Sequence, residues 1–333
     1  MSATMRDVAR LAGVSVRTVS NVVNEFPHVS STTRGRVLAA IAELGYQVNY
    51  SARSLGRTGM LALAVPELRT PHFAELSDEI VGAAAERGYT VLVEQTGGVR
   101  DRELSVLSSH RRRMTDGLIF SPLALGRADG PRLDVSYPLV LLGGRPIGGP
   151  VHHVATADQR GGRAVGEHLL ARGARRIAVI GSALEGGAGH FRALGFLEAL
   201  REAGLDHDPA RTGEAREWTR ETGAAAMRRL LDSGVPVDAV FGLDDVLALG
   251  ALRVLHERGL RVPDDVAVAG FDDIDDGRYA RPNLTTVRPG RTEIARTAVD
   301  LLLDRVSGAE PRAQRQLIVE HELVVRESTG SAW

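Results

Sequence analysis

Residues 4–24, TMRDVARLAGVSVRTVSNVVN, decide the N-terminal fold because their pattern predicts two short helices around a glycine turn. Thr4 can cap the first helix, with Asp7 three residues later, and Gly13 is suited to end it. Ser15 can cap the second helix. Three valines of the second helix face the first helix: Val19, Val22 and Val23. Two helices joined in this way form a helix-turn-helix.

A third helix is predicted from Ser30 to Gly45, because its apolar residues are spaced three and four apart. These residues are Val37, Ala40, Ile41 and Leu44. Three short amphipathic helices can share a small core. Residues 1–46 are therefore predicted to form an all-α domain.

The outward face of the second helix carries side chains of the types that read DNA bases. Arg17 can hold O6 and N7 of guanine, Asn21 can hold N6 and N7 of adenine, and Val16 can meet a thymine methyl group. The second helix of a helix-turn-helix enters the major groove with such residues at its N-terminal end. The two-helix pattern alone fits a solvent-facing helix in an ordinary bundle equally well.

Four segments in a fixed order carry a family resemblance: VARLAGVSVRTVSNVVN, HVSSTTRGRV, ELGYQVN and ARSL. Through them the chain resembles the lac repressor and galactose repressor family of transcription factors, and the resemblance extends over nearly all 333 residues. It implies a dimer that binds a palindromic operator. The predicted DNA-contacting residues are Ser15, Val16, Arg17, Thr18, Ser20, Asn21, Asn24, Arg34, Asn49, Ala52, Arg53 and Leu55.

The resemblance also implies a hinge helix within residues 47–58 that forms only on operator DNA and pairs with its twin in the dimer. Leu55 would then enter the minor groove, where an apolar wedge unstacks a base step and kinks the duplex. A central pyrimidine–purine step would suit this wedge because it unstacks easily. The alternative for this segment is a disordered linker with a stray leucine.

Charge is distributed unevenly along the chain. Residues 1–58 contain seven arginines and three acidic residues, a net charge of +4, whereas the whole chain has −1 and the remainder therefore −5. A positively charged N-terminal segment suits contact with DNA phosphates and predicts an affinity for DNA that falls steeply as the salt concentration rises.

Several chemistries are excluded by composition. All 41 basic residues are arginine, so neither a P-loop nor a Schiff-base enzyme is possible. There are no cysteines, so no disulfide or thiolate zinc site exists, and we expect neither a metal nor a cofactor. Neither a signal peptide nor a long apolar run is found, which predicts a soluble cytoplasmic protein.

From Met60 onward, apolar runs alternate with helical patterns. Strands are predicted at 61–65, 90–94, 117–121, 138–144, 176–182, 239–244 and 266–272. Helices are predicted near 74–87, 102–113, 159–172, 191–203, 219–232 and 245–258. Several helices end at a glycine before the next strand, at Gly88, Gly173, Gly204, Gly234 and Gly259. Repeated βα units predict parallel, doubly wound sheets, and their number favours two lobes over one sheet.

The resemblance implies the same architecture, a periplasmic-binding-protein-like core at residues 59–333. We place its N-subdomain at about 59–157 plus 287–320 and its C-subdomain at about 158–286 plus 321–333. The chain would cross between lobes near Asp158, Thr286 and Glu320. No heptad segment precedes Trp333, so we expect a dimer and not a tetramer.

Ligands of open α/β sheets bind beyond the carboxyl ends of the strands, so the loops there are the candidate site. Its predicted residues are Phe73, Ser121, Arg192, Trp218, Asp244 and Asp272. An arginine, two carboxylates and aromatic faces suit a polyhydroxylated ligand, since carboxylates accept from hydroxyls and aromatic rings cover C–H faces. By resemblance, Phe73, Arg192 and Asp272 occupy effector-contact positions, and Trp218 and Asp244 match less securely.

The sequence departs from the family pattern at two places in this site. Asp244-Asp245 stands where many relatives have Asn-Asp, and Gly143-Gly144 follows the fourth strand where many have an acidic or polar residue. Both departures bear on the identity of the ligand. Each predicted side chain also has a structural alternative: Arg192 could pair with a nearby carboxylate, Phe73 could lie in the core, and Trp218 could anchor a loop.

Two further patterns are set aside. FDDIDDG resembles a calcium loop, but counting from Asp272 puts Ile274 at position three and Asn283 at position twelve, so two ligands are missing. His152 and His153 would face opposite sides of a strand and cannot share a metal, and we expect both at the surface.

The sequence predicts a dimeric DNA-binding regulator that is controlled by a small-molecule effector, a sugar or related metabolite. The resemblance to the family implies that the regulator is a repressor. One alternative is a solute-binding module without DNA activity. The other is a sugar-processing enzyme that uses Asp244 and Asp272 as its pair of carboxylates.

Overall fold

The computed structural model describes residues 5–23, 29–44, 58–108, 114–181, 187–308 and 316–330. The chain forms two compact units. One contains the N-terminal residues up to Met60 with a short segment ending at Asp116, and the other contains the rest. Among the described residues, no helix is long and apolar enough to cross a membrane.

The N-terminal unit contains three helices, α1 (Met5–Ala12), α2 (Val16–Val23) and α3 (Ser31–Leu44). Gly13 takes the left-handed conformation at φ 63°, which lets the chain turn after α1. Ser15 Oγ accepts a hydrogen bond from the Thr18 amide at 3.1 Å, and Ser30 Oγ accepts one from the Thr33 amide at 3.3 Å. The predicted Ser15 cap is thus confirmed, and Ser30, predicted as the start of the third helix, caps it. Thr4 and Gly45 lie outside the described residues.

A small apolar core holds these helices together. Its fully buried members are valines from each helix, Val8, Val19 and Val37, and the partly buried Ile41 and Leu44 pack against them. The helix-turn-helix and its third helix are therefore as the spacing predicts.

The larger unit contains a six-stranded sheet in the order β11-β5-β4-β3-β1-β2. The strands are β1 (Met60–Val65), β2 (Thr90–Gln95), β3 (Gly117–Phe120), β4 (Leu139–Leu142), β5 (His152–Thr156) and β11 (Gln316–Val319). The pairs β1–β3, β3–β4, β4–β5 and β5–β11 are parallel. The inner strands β3, β4 and β5 are buried on both faces, which explains their nearly continuous apolar runs, whereas the edge strands β2 and β11 are largely exposed or half-buried.

A second sheet has four parallel strands in the order β7-β6-β8-β9. They are β6 (Ile177–Ile180), β7 (Thr212–Gly213), β8 (Ala239–Gly242) and β9 (Ala267–Ala269). A short antiparallel pair, β10 (Thr286–Arg288) and β12 (Glu322–Val324), forms a third sheet. The crossings predicted near Thr286 and Glu320 fall at or beside this pair.

Eight helices are described in the larger unit: α4 (Pro71–Ala85), α5 (Arg100–Ser108), α6 (Asp158–Ala171), α7 (Ala188–Glu202), α8 (Arg220–Asp232), α9 (Asp245–Glu257), α10 (Asp275–Tyr279) and α11 (Arg291–Val306). Helices α4 and α11 pack on the six-stranded sheet, and α6 to α9 pack on the four-stranded one. The doubly wound α/β fold with two lobes is confirmed. All five predicted C-terminal glycines have positive φ, between 70° and 92°.

Candidate functional sites

The outer face of α2 presents the residues predicted to read DNA. The side chains of Val16 and Arg17 are exposed, and Val16, a large apolar residue, keeps 42% of its surface accessible. Ser20 and Asn21 are half-buried on the same helix. An exposed apolar group beside an arginine at the N-terminal end of a helix suits contact with base edges in a major groove.

The remaining predicted DNA contacts divide into two groups. Thr18 is half-buried and its hydroxyl lies 2.8 Å from the Ser15 hydroxyl, so both take part in the cap of α2. Arg34 is half-buried on α3. Five others lie outside the described residues: Asn24, Asn49, Ala52, Arg53 and Leu55. The hinge helix therefore remains a prediction.

Arg192 is the centre of a buried polar network in the larger unit. It lies in the first turns of α7 with 4% of its surface exposed. Its Nε donates to Asp158 Oδ1 at 2.8 Å, its Nη1 to the Leu243 carbonyl at 2.8 Å, and its Nη2 to Asp272 Oδ1 at 3.0 Å. Burial alone would lower the pKa of Arg192, but Asp272 and Asp158 raise it above its usual value. The guanidinium is therefore permanently charged.

Aromatic rings cover the same guanidinium. Its Cζ atom lies 3.7 Å from the centroid of the Phe271 ring and 5.8 Å from that of Trp218. Both distances are within the range of cation–π attraction. Phe271 is fully buried and Trp218 is partly buried. The network thus combines an arginine with aromatic faces, the combination predicted for a polyhydroxylated ligand.

Asp272 links the two lobes. It follows β9 of the four-stranded sheet, while His72 lies on α4, which packs on the six-stranded sheet, and His72 Nδ1 is 3.4 Å from Asp272 Oδ1. Burial lowers the pKa of His72, although Asp272 opposes that shift. Arg291, at the start of α11, donates to the Asp272 carbonyl and pairs with Glu75 at 2.5 Å. Polar contacts between lobes are therefore concentrated around Asp272.

The backbone at Asp272 is unusual for a residue with a side chain. Asp272 has φ 109° and Asp273 has φ 50°, both in the region that favours glycine. The buried Asp273 carboxylate pairs with Arg288 at 2.7 Å and with Arg326. These arginines lie on or beside the short β10–β12 sheet, so strained backbone and ion pairs meet where the chain passes between lobes.

Asp244 and Asp245 begin α9 and have different surroundings. Asp244 Oδ1 accepts from the Leu247 amide at 2.8 Å as the N-cap. Asp245 accepts from the Thr286 hydroxyl at 2.6 Å and from the Ile274 amide at 2.9 Å. Burial raises the pKa of Asp244 to about 7, helped by the nearby Asp272 carboxylate, and burial raises the pKa of Asp245 well above its usual value.

The other predicted cleft residues are less closely connected. Phe73 is half-buried and its ring packs edge-on against the His72 ring, with centroids 5.1 Å apart. Ser121 is buried directly after β3, and its amide donates to the Ala64 carbonyl at 2.9 Å. The described hydrogen bonds do not join Ser121 to the network around Arg192.

Family models match two parts of the chain. The bacterial regulatory proteins of the lacI family match residues 4–49, and the periplasmic binding protein-like domain matches residues 166–329. The HTH-type transcriptional regulator CelR of Thermobifida fusca is 39% identical over 338 residues, which is 98% of each chain. The chain belongs to the LacI family.

Two solved structures extend this similarity to the fold of the LacI-family chain. A complex of the transcriptional regulator CelR with cellobiose is 36% identical, has a TM-score of 0.73 and covers 98% of this chain and 99% of that one. The lac repressor dimer bound to operator and the anti-inducer ONPF is 28% identical, has a TM-score of 0.84 and covers 99% and 100%. The chain is therefore a DNA-binding transcriptional regulator and not an enzyme.

Three residues of the LacI-family cleft were not predicted as site residues from the sequence: His72, Asp158 and Arg291. His72 is adjacent to Phe73, which was predicted as the aromatic contact of the ligand, and Asp158 was predicted only as a crossover. Asp158 accepts from Arg192, so an acidic residue at the start of the helix after β5 was the available signal. Local spacing cannot locate a charged pair whose partners are 34 residues apart in the chain.

The expectation that His152 and His153 lie at the surface was wrong. Both are on β5 in the interior of the six-stranded sheet, and they keep only 4% and 8% of their surface exposed. His153 Nε2 lies 2.5 Å from the Gly143 carbonyl. Burial lowers the pKa of His153, so the neutral ring donates this hydrogen bond. No cluster of potential metal ligands occurs in the part of the chain that the structure describes.

Proposed function

We propose that this regulator binds an inverted-repeat operator as a dimer and that a sugar in the cleft between its lobes controls this binding. The proposal that a sugar binds in the cleft is supported by the Arg192 network. In it, Asp158 and Asp272 accept hydrogen bonds from Arg192, and the rings of Phe271 and Trp218 lie against its guanidinium. Such an arrangement offers hydroxyl acceptors beside an aromatic face, which is what a sugar requires.

The similarity to the CelR–cellobiose complex supports a sugar, and the lac repressor dimer bound to operator supports a dimer on DNA. We propose the ligand-contacting residues to be Phe73, Ser121, Arg192, Trp218, Asp244 and Asp272. The DNA-contacting residues would be those of the α2 face together with the hinge, in which Leu55 acts as the wedge. As a repressor of transcription, the protein would act in the cytoplasm.

The proposed domain boundaries place the DNA-binding domain at 1–46, the hinge at 47–58 and the core at 59–333. They are supported by α3 ending at Leu44 and β1 beginning at Met60. The crossover near Asp158 is supported by the start of α6 at that residue, directly after the six-stranded sheet's β5.

Selection of bound duplexes from a random-sequence pool tests the DNA half. Purified protein at a stated moderate salt should enrich an inverted repeat with a pyrimidine–purine step at its centre. Leu55→Ala should weaken binding to that repeat far more than binding to random duplex, because only the kinked site uses the wedge. Equal losses on both duplexes would reject the wedge.

Thermal denaturation with a panel of sugars tests the effector half. The panel is cellobiose, maltose, lactose, glucose, galactose and ribose, and a ligand of the folded state raises the melting temperature in proportion to the logarithm of its concentration over Kd. At least one sugar should raise it, and the same sugar should change operator affinity. A sugar that binds in the absence of any selected DNA site would favour a solute-binding module instead.

A further inference from the structure

Asp158 contains a buried oxygen whose hydrogen-bonding capacity is unused. The residue keeps 3% of its surface exposed, and Oδ1 accepts from Arg192 Nε at 2.8 Å. The other oxygen, Oδ2, is buried and has no hydrogen-bond partner among the described residues. A buried acceptor without a donor is unfavourable, so such an atom calls for an explanation.

The turn after β4 is shaped around this oxygen. A β carbon placed on Gly144 would overlap Asp158 Oδ2, so glycine is the residue that leaves the carboxylate its position. The preceding Gly143 has φ 108°, and its carbonyl accepts from His153 of β5. The buried histidine thus holds a glycine turn against the carboxylate.

The turn after β4 and the start of α7 approach each other closely beside this carboxylate. The β carbon of Gly144 would also lie 3.7 Å from the Ala188 Cα atom, at the start of α7. The turn after β4 belongs to the six-stranded sheet, whereas α7 packs on the four-stranded one. Oδ2 of Asp158 is therefore at the seam where the carboxyl end of β4 meets the helix that carries Arg192.

We propose that Asp158 Oδ2 accepts a hydrogen bond from one hydroxyl of the effector and so determines which sugar is bound. This inference rests on the proposed function, since it requires a sugar in the cleft. Arg192 orients the carboxylate through Oδ1. Burial raises the pKa of Asp158 and Arg192 opposes that shift by stabilising the charged form, which is a stronger hydrogen-bond acceptor than the neutral one. A site built to bind a hydroxyl discriminates strongly against an analogue that lacks it.

The test uses whichever sugar of the six-member panel binds most tightly, with its set of deoxyfluoro analogues. Fluorine replaces a hydroxyl in size and can accept but not donate a hydrogen bond. In the parent protein, one fluorinated position should weaken binding at least about tenfold because the donor to Asp158 is lost. Isothermal titration calorimetry gives each Kd.

Asp158→Asn is the decisive variant because it keeps the acceptor for Arg192 and places an NH₂ donor at the Oδ2 position. In this variant the unmodified sugar should bind at least about tenfold more weakly than it binds the parent protein. The Kd of the sensitive fluorinated analogue for the variant should then be less than about threefold above the Kd of the unmodified sugar for the same variant. Unchanged operator affinity would show that the variant is folded. The inference is overturned if the analogue series has the same profile in both proteins.

Gly144→Ala provides a second measurement. Its β carbon must displace the carboxylate, so sugar binding should weaken at least about tenfold, whereas Gly82→Ala, on α4 with open space around it, should bind the sugar normally. Normal sugar binding by Gly144→Ala would contradict the role of the turn. If the parent protein bound no sugar of the panel while still binding its operator, the sugar half of the proposed function and this inference would both be rejected.

Discussion

At the scale of single residues, Asp244 combines a structural role with an electrostatic one. Its Oδ1 caps α9, and its carboxyl lies near Asp272, Arg192 and Arg220. Burial, together with Asp272, raises its pKa to about 7 from a usual value of 3.8. Asparagine caps helices as well as aspartate does, and it carries no charge. The charge and the cap can therefore be separated experimentally.

We predict that Asp244→Asn stabilises the protein more at pH 8 than at pH 5. Between about pH 4 and pH 7, Asp244 is protonated in the folded state of the parent protein and ionised in the unfolded state. Stability from that proton is present below the unfolded pKa and is lost as pH rises through 7. The advantage of the variant should be about 2–3 kcal/mol larger at pH 8 than at pH 5.

Urea denaturation at the two pH values measures this difference as a change in the free energy of unfolding. The m value should stay constant, since the substitution does not change the surface exposed on unfolding. Parallel pH profiles for the parent and the variant would show that Asp244 is ionised at both pH values in the folded state.

Arg17 is the residue on α2 for which we predict the clearest effect on DNA recognition. Arg17→Ala should cost about 1–3 kcal/mol of operator binding and relax the sequence preference at one base pair of each half-site. Arg36→Ala, which removes an exposed arginine of α3, is the matched control and should leave the preference unchanged. Fluorescence anisotropy with single-base operator variants measures both. An unchanged preference for Arg17→Ala would reject base readout by this side chain.

At the scale of elements, α6 and α7 pack closely because each contributes a glycine to their contact. A β carbon on Gly162 of α6 would overlap the Arg192 carbonyl, and one on Gly195 of α7 would overlap the Gln159 carbonyl. Phe196 follows Gly195 and is fully buried against Phe241, with ring centroids 5.3 Å apart. The close approach positions Arg192 within reach of Asp158, so helix packing determines the geometry of the cleft.

Gly195→Ala should therefore separate these helices and weaken both the fold and the site. Overpacking of this kind costs about 1–3 kcal/mol of unfolding free energy. Gly82→Ala adds the same atom at an exposed position of α4, where nothing lies within 4 Å, and should be neutral or stabilising by up to about 1 kcal/mol. Thermal denaturation compares the two variants. Equal melting temperatures would contradict the predicted importance of the α6–α7 contact.

The elements differ in how well local sequence predicts them. Buried strands and helix C-termini leave local signals, such as the apolar run of β1 and the left-handed Gly88, and these were predicted correctly. Strand β5 was missed because it begins with two histidines, which read as surface residues. Strands β10 and β12 have three residues each, too few for any periodicity.

Long-range contacts in the cleft were beyond sequence patterns. Arg192 and Asp272 were named from the family pattern, but their hydrogen bond joins residues 80 positions apart. Asp158 was assigned only to a crossover, and nothing in its neighbourhood indicates that Gly144 leaves room for it. The raised pKa of Asp244 likewise depends on burial and on Asp272, both of which are properties of the folded chain.

At the scale of the whole molecule, control requires that the sugar distinguish two arrangements of the lobes. A ligand with equal affinity for both arrangements shifts neither, however tightly it binds. The contact between His72 and Asp272 and the hydrogen bond from Arg291 to the Asp272 carbonyl join the lobes, so they are available to differ between the arrangements. Effector binding and operator binding should then be linked by a single coupling free energy.

This linkage predicts reciprocity. If the sugar lowers operator affinity by a given factor, the operator must lower sugar affinity by the same factor, and coupling of this type is typically about 5–150-fold. Anisotropy of a labelled operator with and without saturating sugar gives the first factor. Calorimetric titration of the sugar into free and operator-bound protein gives the second, with a duplex of random sequence as the control. Two equal factors above one would establish that sugar and operator compete through the same equilibrium between lobe arrangements. A factor of one in both experiments would show that the sugar does not regulate DNA binding, even if it occupies the cleft.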